Sequence, residues 1–177
     1  MSMAHPTSTL ETRKRLPVLL LGTVQASSEA DGHAIELAFD HDHGPGATRW
    51  KAGKPGEQTI TVAFDLPCAL EQVTIQVEEQ DVPRTQEIQL AVSTDGGLTY
   101  REWVRQEFNF SPDGATWEEE TWAVQQAHVT HVRLVIKPDK GRKDVYATLT
   151  SFVLCGTDPS GAHSSEVTGP PKSSDTD

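Results

Sequence analysis

The sequence predicts an all-β fold in which roughly eight short strands form an antiparallel sandwich. Apolar and polar residues alternate in one segment after another, which is the period of a strand with one buried face. Turn-forming Gly, Pro and Asp separate these segments at fairly regular intervals. No long amphipathic helical run occurs, so the pattern is not that of alternating strands and helices. A chain of 177 residues that is 36% hydrophobic is long enough to bury one core.

The first predicted strand covers residues 18–27. The basic stretch at residues 13–15 and the apolar run after it resemble a signal peptide, with a candidate cleavage site at residues 24–26. Pro17 interrupts that run, which is close to the lower length limit of a signal-peptide core. The strand is therefore the favoured interpretation.

Alternation is clearest in the middle of the chain. Residues 58–66 place Ile60, Val62, Phe64 and Leu66 on one face, and residues 73–77 repeat the pattern after a predicted turn at 67–71. Residues 88–92 repeat it before the turn signal Asp95-Gly-Gly97. Further strands are predicted at 100–110, 117–125, 132–136 and 149–154. The residues expected to face one core are Ile60, Val62, Phe64, Val73, Ile75, Val77, Ile88, Leu90, Val92, Val132, Leu134 and Ile136.

Composition sets the predicted domain boundaries and excludes some functions. Residues 1–15 and 158–177 are polar and predicted to be disordered tails, which leaves residues 16–157 as the folded domain. The formal net charge is −11, and residues 16–158 hold 22 acidic against 11 basic residues. Such a body repels phosphate backbones, so generic nucleic-acid binding is not expected. No apolar stretch approaches the ~20 residues of a membrane span.

Cysteine usage bears on location. Cys68 and Cys155 are too few for a disulfide scaffold and are interpreted as thiols. This favours a cytoplasmic location over a secreted one.

An acidic loop at residues 38–50 carries the most informative polar groups. Asp40, Asp42 and Thr48 offer hard oxygen donors that are close enough in sequence for one loop to wrap a cation. Trp50 follows as a large apolar anchor that would hold the loop against the core.

Two histidines in the same loop, His41 and His43, suggest a transition-metal site as an alternative. No further ligand cluster has zinc-site spacing, so an acidic loop with incidental histidines is the favoured interpretation. The sequence also lacks a nucleophile motif and a phosphate-binding glycine loop. We therefore expect a protein that is not an enzyme, with a metal enzyme based on this loop as the most distant alternative.

Several motifs occur in a family-like order: Ala26-Ser-Ser28, Ala38-Phe-Asp40, Thr48-Arg-Trp50, the strand at 58–66 and Ser93-Thr-Asp-Gly96, followed by residues 132–136 and 152–156. In this order they resemble the discoidin family, also called coagulation factor 5/8 type C, of the galactose-binding-like superfamily. The resemblance covers residues 16–157. It implies an eight-stranded jelly-roll β-sandwich that is non-catalytic and binds ligands through loops at one end.

The resemblance also implies a metal site. In many carbohydrate-binding members, a structural calcium is held by the loop that contains the Asp and the Thr before the Trp. The matching residues are Asp40 and Thr48, with Asp42 as an additional donor. These relatives often begin the last strand with a Glu, and Ser151 stands there in this chain. The lost carboxylate leaves calcium occupancy open.

The ligand positions implied by the resemblance are Lys51, Arg84 and Tyr146, with Arg142 as a neighbour. They lie in loops at residues 51–56, 81–85 and 139–146. Lys137, Lys140, Arg142 and Lys143 form the one basic region predicted on an acidic body, which favours an anionic ligand. The alternative is that these charges only solubilise the loops.

Besides the distant alternative of a metal enzyme, two functions remain open at this level. The first is a carbohydrate-binding module of discoidin type. The second is a cytoplasmic scaffold for a protein partner, because residues 48–62 also resemble the amino-terminal domain of the X-ray repair cross-complementing scaffold protein.

Overall fold

The computed structural model describes residues 14–159. In chain order the elements are α1 (Val18–Leu21), β1 (Gly22–Ala26), a 3₁₀ turn (Ile35–Ala38), β2 (Trp50–Lys51), β3 (Gln58–Glu78), β4 (Arg84–Ser93), β5 (Arg101–Phe110), β6 (Trp117–Lys137), β7 (Thr148–Leu149) and β8 (Ser151–Thr157). All strand pairs are antiparallel. The predicted all-β class is therefore confirmed.

Two long strands, β3 and β6, form the centre of the sandwich. They pair along their whole length, from Gln58 opposite Ile136 to Glu78 opposite Trp117. At one end of this ribbon, β1 pairs with β3 and β4 pairs with β6, while β5 pairs with β4. At the other end, β8 pairs with β3. The short strands β2 and β7 pair with each other.

The ribbon bends in the middle because its register is irregular. The β3–β6 register shifts between Ala63 and Gln72, and Gln125 and His128 of β6 have positive φ angles of 44° and 56°. Bulges of this kind bend and twist a strand pair. Both halves of the ribbon contribute to one hydrophobic core. The predicted turn at 67–71 is therefore wrong, as is the division of residues 117–137 into two strands.

Two smaller predictions are also corrected. Residues 18–21 form a helical turn, because the Pro17 carbonyl accepts hydrogen bonds from the backbone N–H groups of Leu20 and Leu21 at 2.9 and 3.0 Å. Leu66 does not share the core face and is 58% exposed. The register shift that begins after Ala63 turns this residue outward.

The predicted core is confirmed. All twelve residues expected to face it are buried and belong to one cluster: Ile60, Val62, Phe64, Val73, Ile75, Val77, Ile88, Leu90, Val92, Val132, Leu134 and Ile136. Trp50 is fully buried in the same cluster, as expected of an anchor. Neither Cys68 nor Cys155 forms a disulfide, and burial raises the pKa of the Cys68 thiol to about 11.

The edges of the domain extend slightly beyond the strands. Leu16 donates its backbone N–H to Leu154, and Gly156 donates to Lys14, so the start of the described chain pairs with β8. Most of the two predicted tails, residues 1–13 and 160–177, lies outside the described residues. Within residues 14–159, no helix has the length and apolar character needed to span a membrane.

Candidate functional site

A cleft of about 500 Å³ lies where four segments of the chain meet. Its lining residues are Glu29, Ala30, Lys51, Ala52, Gly53, Glu79, Asp81, Val82, Arg142, Asp144, Val145 and Tyr146. A second cavity of about 200 Å³ shares Lys51, Glu79, Asp81 and Tyr146 with it. The two form one concave surface, which we call the loop-end cleft.

Three of the four residues predicted to bind a ligand line this cleft. Lys51 and Tyr146 are exposed there, Tyr146 at 47%, and the Arg142 side chain is 55% exposed. These residues are far apart in the sequence, and the fold brings them together. Their role in binding stays a prediction.

Arg84 occupies a different position, because its side chain has no exposed surface. Its guanidinium donates to the Tyr146 backbone carbonyl at 2.8 Å and lies 3.4 Å from the Glu79 carboxylate. It also lies over the Phe110 ring at 5.4 Å. Burial lowers the pKa of Arg84, while Glu79 and Asp139 oppose that shift. Arg84 therefore holds two cleft residues from behind instead of facing the cleft.

The Ser27-Ser28 motif organises the wall beside Trp50. The Ser28 hydroxyl accepts hydrogen bonds from the backbone N–H groups of Gly53 and Lys54 at 3.0 and 3.1 Å. The Ser28 carbonyl accepts from the Trp50 indole N–H at 3.0 Å. A Cβ atom at Gly53 would lie 2.4 Å from the Glu29 carbonyl oxygen, so this close approach requires glycine. The motif thus fixes the path of the chain from residue 50 to 54.

A single carboxylate organises the opposite wall. Asp139 accepts backbone hydrogen bonds from Thr85 at 2.8 Å, Arg142 at 2.7 Å and Gly141 at 3.3 Å. These bonds lower the pKa of Asp139, and the bond from Thr85 has the largest effect. They tie the loop before Tyr146 to the start of β4.

The basic region predicted from the sequence is largely neutralised. Lys140 contacts Glu107 at 2.5 Å, and Lys137 lies 3.9 Å from Glu87. Arg142 makes a two-point contact with Asp144 at 3.2 and 3.1 Å. Three of the four predicted cations therefore have carboxylate partners, which weakens the positive field that the sequence suggested.

The acidic loop at residues 38–50 is closed by hydrogen bonds within itself. Asp40 accepts from the Thr48 hydroxyl at 2.5 Å and from the Asp42 backbone N–H at 3.1 Å. Asp42 accepts from the Thr48 backbone N–H at 3.1 Å. The three predicted metal ligands are therefore adjacent, but each already has a partner in the chain.

A guanidinium also lies against this loop. Arg15 donates to the backbone carbonyls of Asp40 at 2.8 Å and Phe39 at 3.3 Å. Among the described residues, no group of three or more His, Cys, Asp or Glu side chains could hold a metal ion. Oxygens that an ion would need accept hydrogen bonds from the chain's own donors, so an ion would have to share or displace these bonds. Calcium binding by Asp40, Asp42 and Thr48 stays a prediction of the family resemblance, and the hydrogen-bonded loop leads us to expect that it needs no ion.

The remaining candidates in the loop do not converge. The His43 imidazole contacts the His41 backbone carbonyl at 2.8 Å, and both residues are exposed. Outside the loop, Ser151, at the position where the family resemblance implied a Glu, is buried at the start of β8.

The structure resembles solved carbohydrate-binding modules over most of its length. It matches a family 32 module, CBM32-3, from a family 31 glycoside hydrolase of Clostridium perfringens, with a TM-score of 0.60 and 19% identity over 82% of this chain and 97% of that one. It matches an F5/8 type C domain from Bacteroides fragilis with a TM-score of 0.54 and 16% identity over 82% and 97%. The chain has a discoidin-like fold.

A third match is the family 32 module of AlyQ, solved in complex with 4,5-unsaturated mannuronic acid. Its TM-score is 0.52, with 20% identity over 76% of this chain and 94% of that one. No protein-family model matches the sequence, and no curated protein matches it. The shared feature is therefore the discoidin-like fold, which the sequence motifs predicted.

Sequence reasoning missed the acidic residues of the cleft. Glu29 and Asp144 line it beside the predicted cations, and Glu79 is held by Arg84. Glu29 directly follows the Ser27-Ser28 motif, which was the one signal available for it. The others become recognisable only when the strands are paired.

Proposed function

We propose that the protein is a non-catalytic carbohydrate-binding module of discoidin-like fold, with its ligand site in the loop-end cleft. The solved domains that share this fold include carbohydrate-binding modules. The observation that carries the proposal is a concave surface whose two cavities share a half-exposed tyrosine, Tyr146. A site on preformed loops of a rigid sandwich is the usual arrangement for small-ligand binding.

The groups around Tyr146 suit a sugar. Lys51 can donate hydrogen bonds to hydroxyl groups, and Asp81 and Glu29 can accept them. The Tyr146 ring offers an apolar face, which can pack against the C–H face of a sugar ring. The ligand would be held by a few directed hydrogen bonds around one aromatic contact.

The proposed partner is therefore a carbohydrate. A protein partner and the cytoplasmic location predicted from the sequence stay proposals.

A glycan array followed by titration calorimetry tests the proposal. Tyr146→Ala should weaken binding of the best glycan about tenfold or more, since loss of aromatic contact costs on the order of 1.4 kcal/mol. Arg84 bonds to the main-chain oxygen of Tyr146, so the substitution leaves that contact in place. Tyr146→Phe, which keeps the ring, is the matched control and should bind nearly as the parent does. An array without any bound glycan, or equal binding by Tyr146→Ala, would overturn the proposal.

A further inference from the structure

We propose that the loop-end cleft selects an oligosaccharide that carries protonated amines, such as a glucosamine oligomer, over one that carries carboxylates. This inference rests on the proposed function and specifies its ligand. The evidence for this inference is the arrangement of charged side chains that line the cleft.

Most cations in the cleft are already matched by carboxylates. Arg142 is paired with Asp144 through two hydrogen bonds. Arg49, which lines the smaller cavity, contacts Glu78 at 3.1 Å. A ligand carboxylate would have to compete with these internal partners for each guanidinium.

Two carboxylates in the cleft have no such match. Asp81 forms no ion pair with any residue between 14 and 159. Glu29 forms none in that range either, and one of its oxygens accepts the Ile35 backbone N–H at 3.2 Å. Against these two acids, Lys51 is the cation of the cleft lining that has no ion-pair partner among the described residues. With the internal pairs counted as neutral, two carboxylates face one ammonium group, so the lining has a small net negative charge.

The net negative charge of the rest of the domain adds to that of the cleft. Residues 16–158 hold 22 acidic against 11 basic residues. A net charge at a cleft attracts ligands of the opposite sign, and the low-dielectric walls focus its field. An ammonium group gains from this field, and a uronate is repelled by it. This proposal differs from the anionic ligand that the run of basic residues favoured, and the experiment below decides between them.

The test compares three oligomers of equal length: a glucosamine oligomer, its N-acetylated form and an oligogalacturonate. Titration at about pH 5.5 keeps most amines of a glucosamine oligomer protonated, because this pH is below the usual pKa range of an amine. The glucosamine oligomer should bind roughly tenfold tighter than its neutral form, and the preference should shrink at high salt, as for a screened charge interaction. The oligogalacturonate should bind weakest.

Variants locate the effect. Asp81→Asn and Glu29→Gln should each reduce, several-fold, the ratio between the affinity for the glucosamine oligomer and the affinity for its N-acetylated form; because both residues also face sugar hydroxyls, the ratio and not either affinity alone is the readout. Asp65→Asn, an exposed acid on β3 that does not line the cleft, is the matched control and should leave the preference intact.

The outcomes separate this inference from the proposed function. Equal or tighter binding of the neutral oligomer or the uronate overturns the inference and leaves a carbohydrate-binding module standing. A preference for the amine that survives in both cleft variants also overturns it. If none of the three oligomers binds, the inference falls, and the glycan array decides the proposed function independently.

Discussion

Arg84 has a different role from the one that its chemistry alone suggests. Arg84 has the chemistry of a ligand-binding residue, and the family resemblance places it in a ligand loop. Its buried side chain instead joins β4 to the Tyr146 backbone and to Glu79. Burial of this kind depends on the packing of β4 against distant segments, so no local sequence pattern reveals it.

Arg84 should therefore be more important for stability than its exposed counterparts. Arg84→Met should lower the free energy of unfolding by about 3 kcal/mol, because it leaves Glu79 without its buried partner. Urea unfolding measures this loss. Arg105→Met is the matched control, since Arg105 pairs with Glu102 and Glu87 but is 53% exposed, and it should cost much less. Equal losses in the two variants would show that Arg84 is not a structural anchor.

At the scale of elements, alternation predicted what is buried better than where strands end. Ile60 and Val73 were both placed correctly in the core, although they belong to one strand and were assigned to two. Pro67 and Cys68 have the chemistry of a turn, yet β3 continues through them with a bulge because β6 and β8 pair on either side. Tertiary pairing overrides the local turn signal here.

The sequence placed the predicted ligand loops largely correctly, but it did not reveal which of their basic residues pair with carboxylates. Lys140 and Glu107 are 33 positions apart and meet through the β4–β5 pairing and the loop after β6. A run of basic residues therefore indicated a positive surface, and in the folded chain three of its four cations have carboxylate partners.

The acidic loop gives a prediction about metal dependence. Its hydrogen bonds and the Arg15 contacts close it without an ion, so calcium should leave the melting temperature unchanged relative to a chelator. Arg15→Ala should cost roughly 1–2 kcal/mol, since two hydrogen bonds to backbone carbonyls are lost. Scanning calorimetry with and without calcium measures both effects.

Lys14→Ala, at the exposed neighbouring position, is the control for Arg15 and should be close to neutral. A calcium-dependent rise in melting temperature that disappears in Asp40→Ala would contradict this expectation. It would restore the calcium site that the family resemblance implies.

For the molecule as a whole, the excess of acidic residues makes stability depend on how each carboxylate is held. Asp139 and Asp144 have lowered pKa values because of hydrogen bonds from Thr85 and Arg142, respectively. Glu118 differs, since burial raises its pKa. Carboxylates held by hydrogen bonds in the folded chain are protonated less readily than in the unfolded chain, so acid should destabilise this domain.

Asp95 is the clearest example of a carboxylate whose pKa is lowered by hydrogen bonds in the folded chain. Its carboxylate accepts hydrogen bonds from the hydroxyls of Ser93 at 2.6 Å and Thr99 at 2.5 Å, and these lower its pKa from 3.8 to about 2. A carboxylate whose pKa is lower in the folded state stabilises the fold above its unfolded pKa, and this contribution is lost as pH falls through the folded pKa. The stabilisation from Asp95 should therefore be complete above about pH 4 and decline towards pH 2.

Denaturant unfolding across this pH range tests the assignment. At neutral pH the parent should have a larger free energy of unfolding than Asp95→Asn. This difference should narrow between about pH 4 and pH 2, because the Asp95 carboxylate becomes protonated in the parent and is absent from the variant. Asp113→Asn, in an exposed turn, is the control and should follow the parent throughout. A gap that stays constant down to pH 2 would mean that the Ser93–Asp95–Thr99 turn is held by its shape and not by the ionised carboxylate.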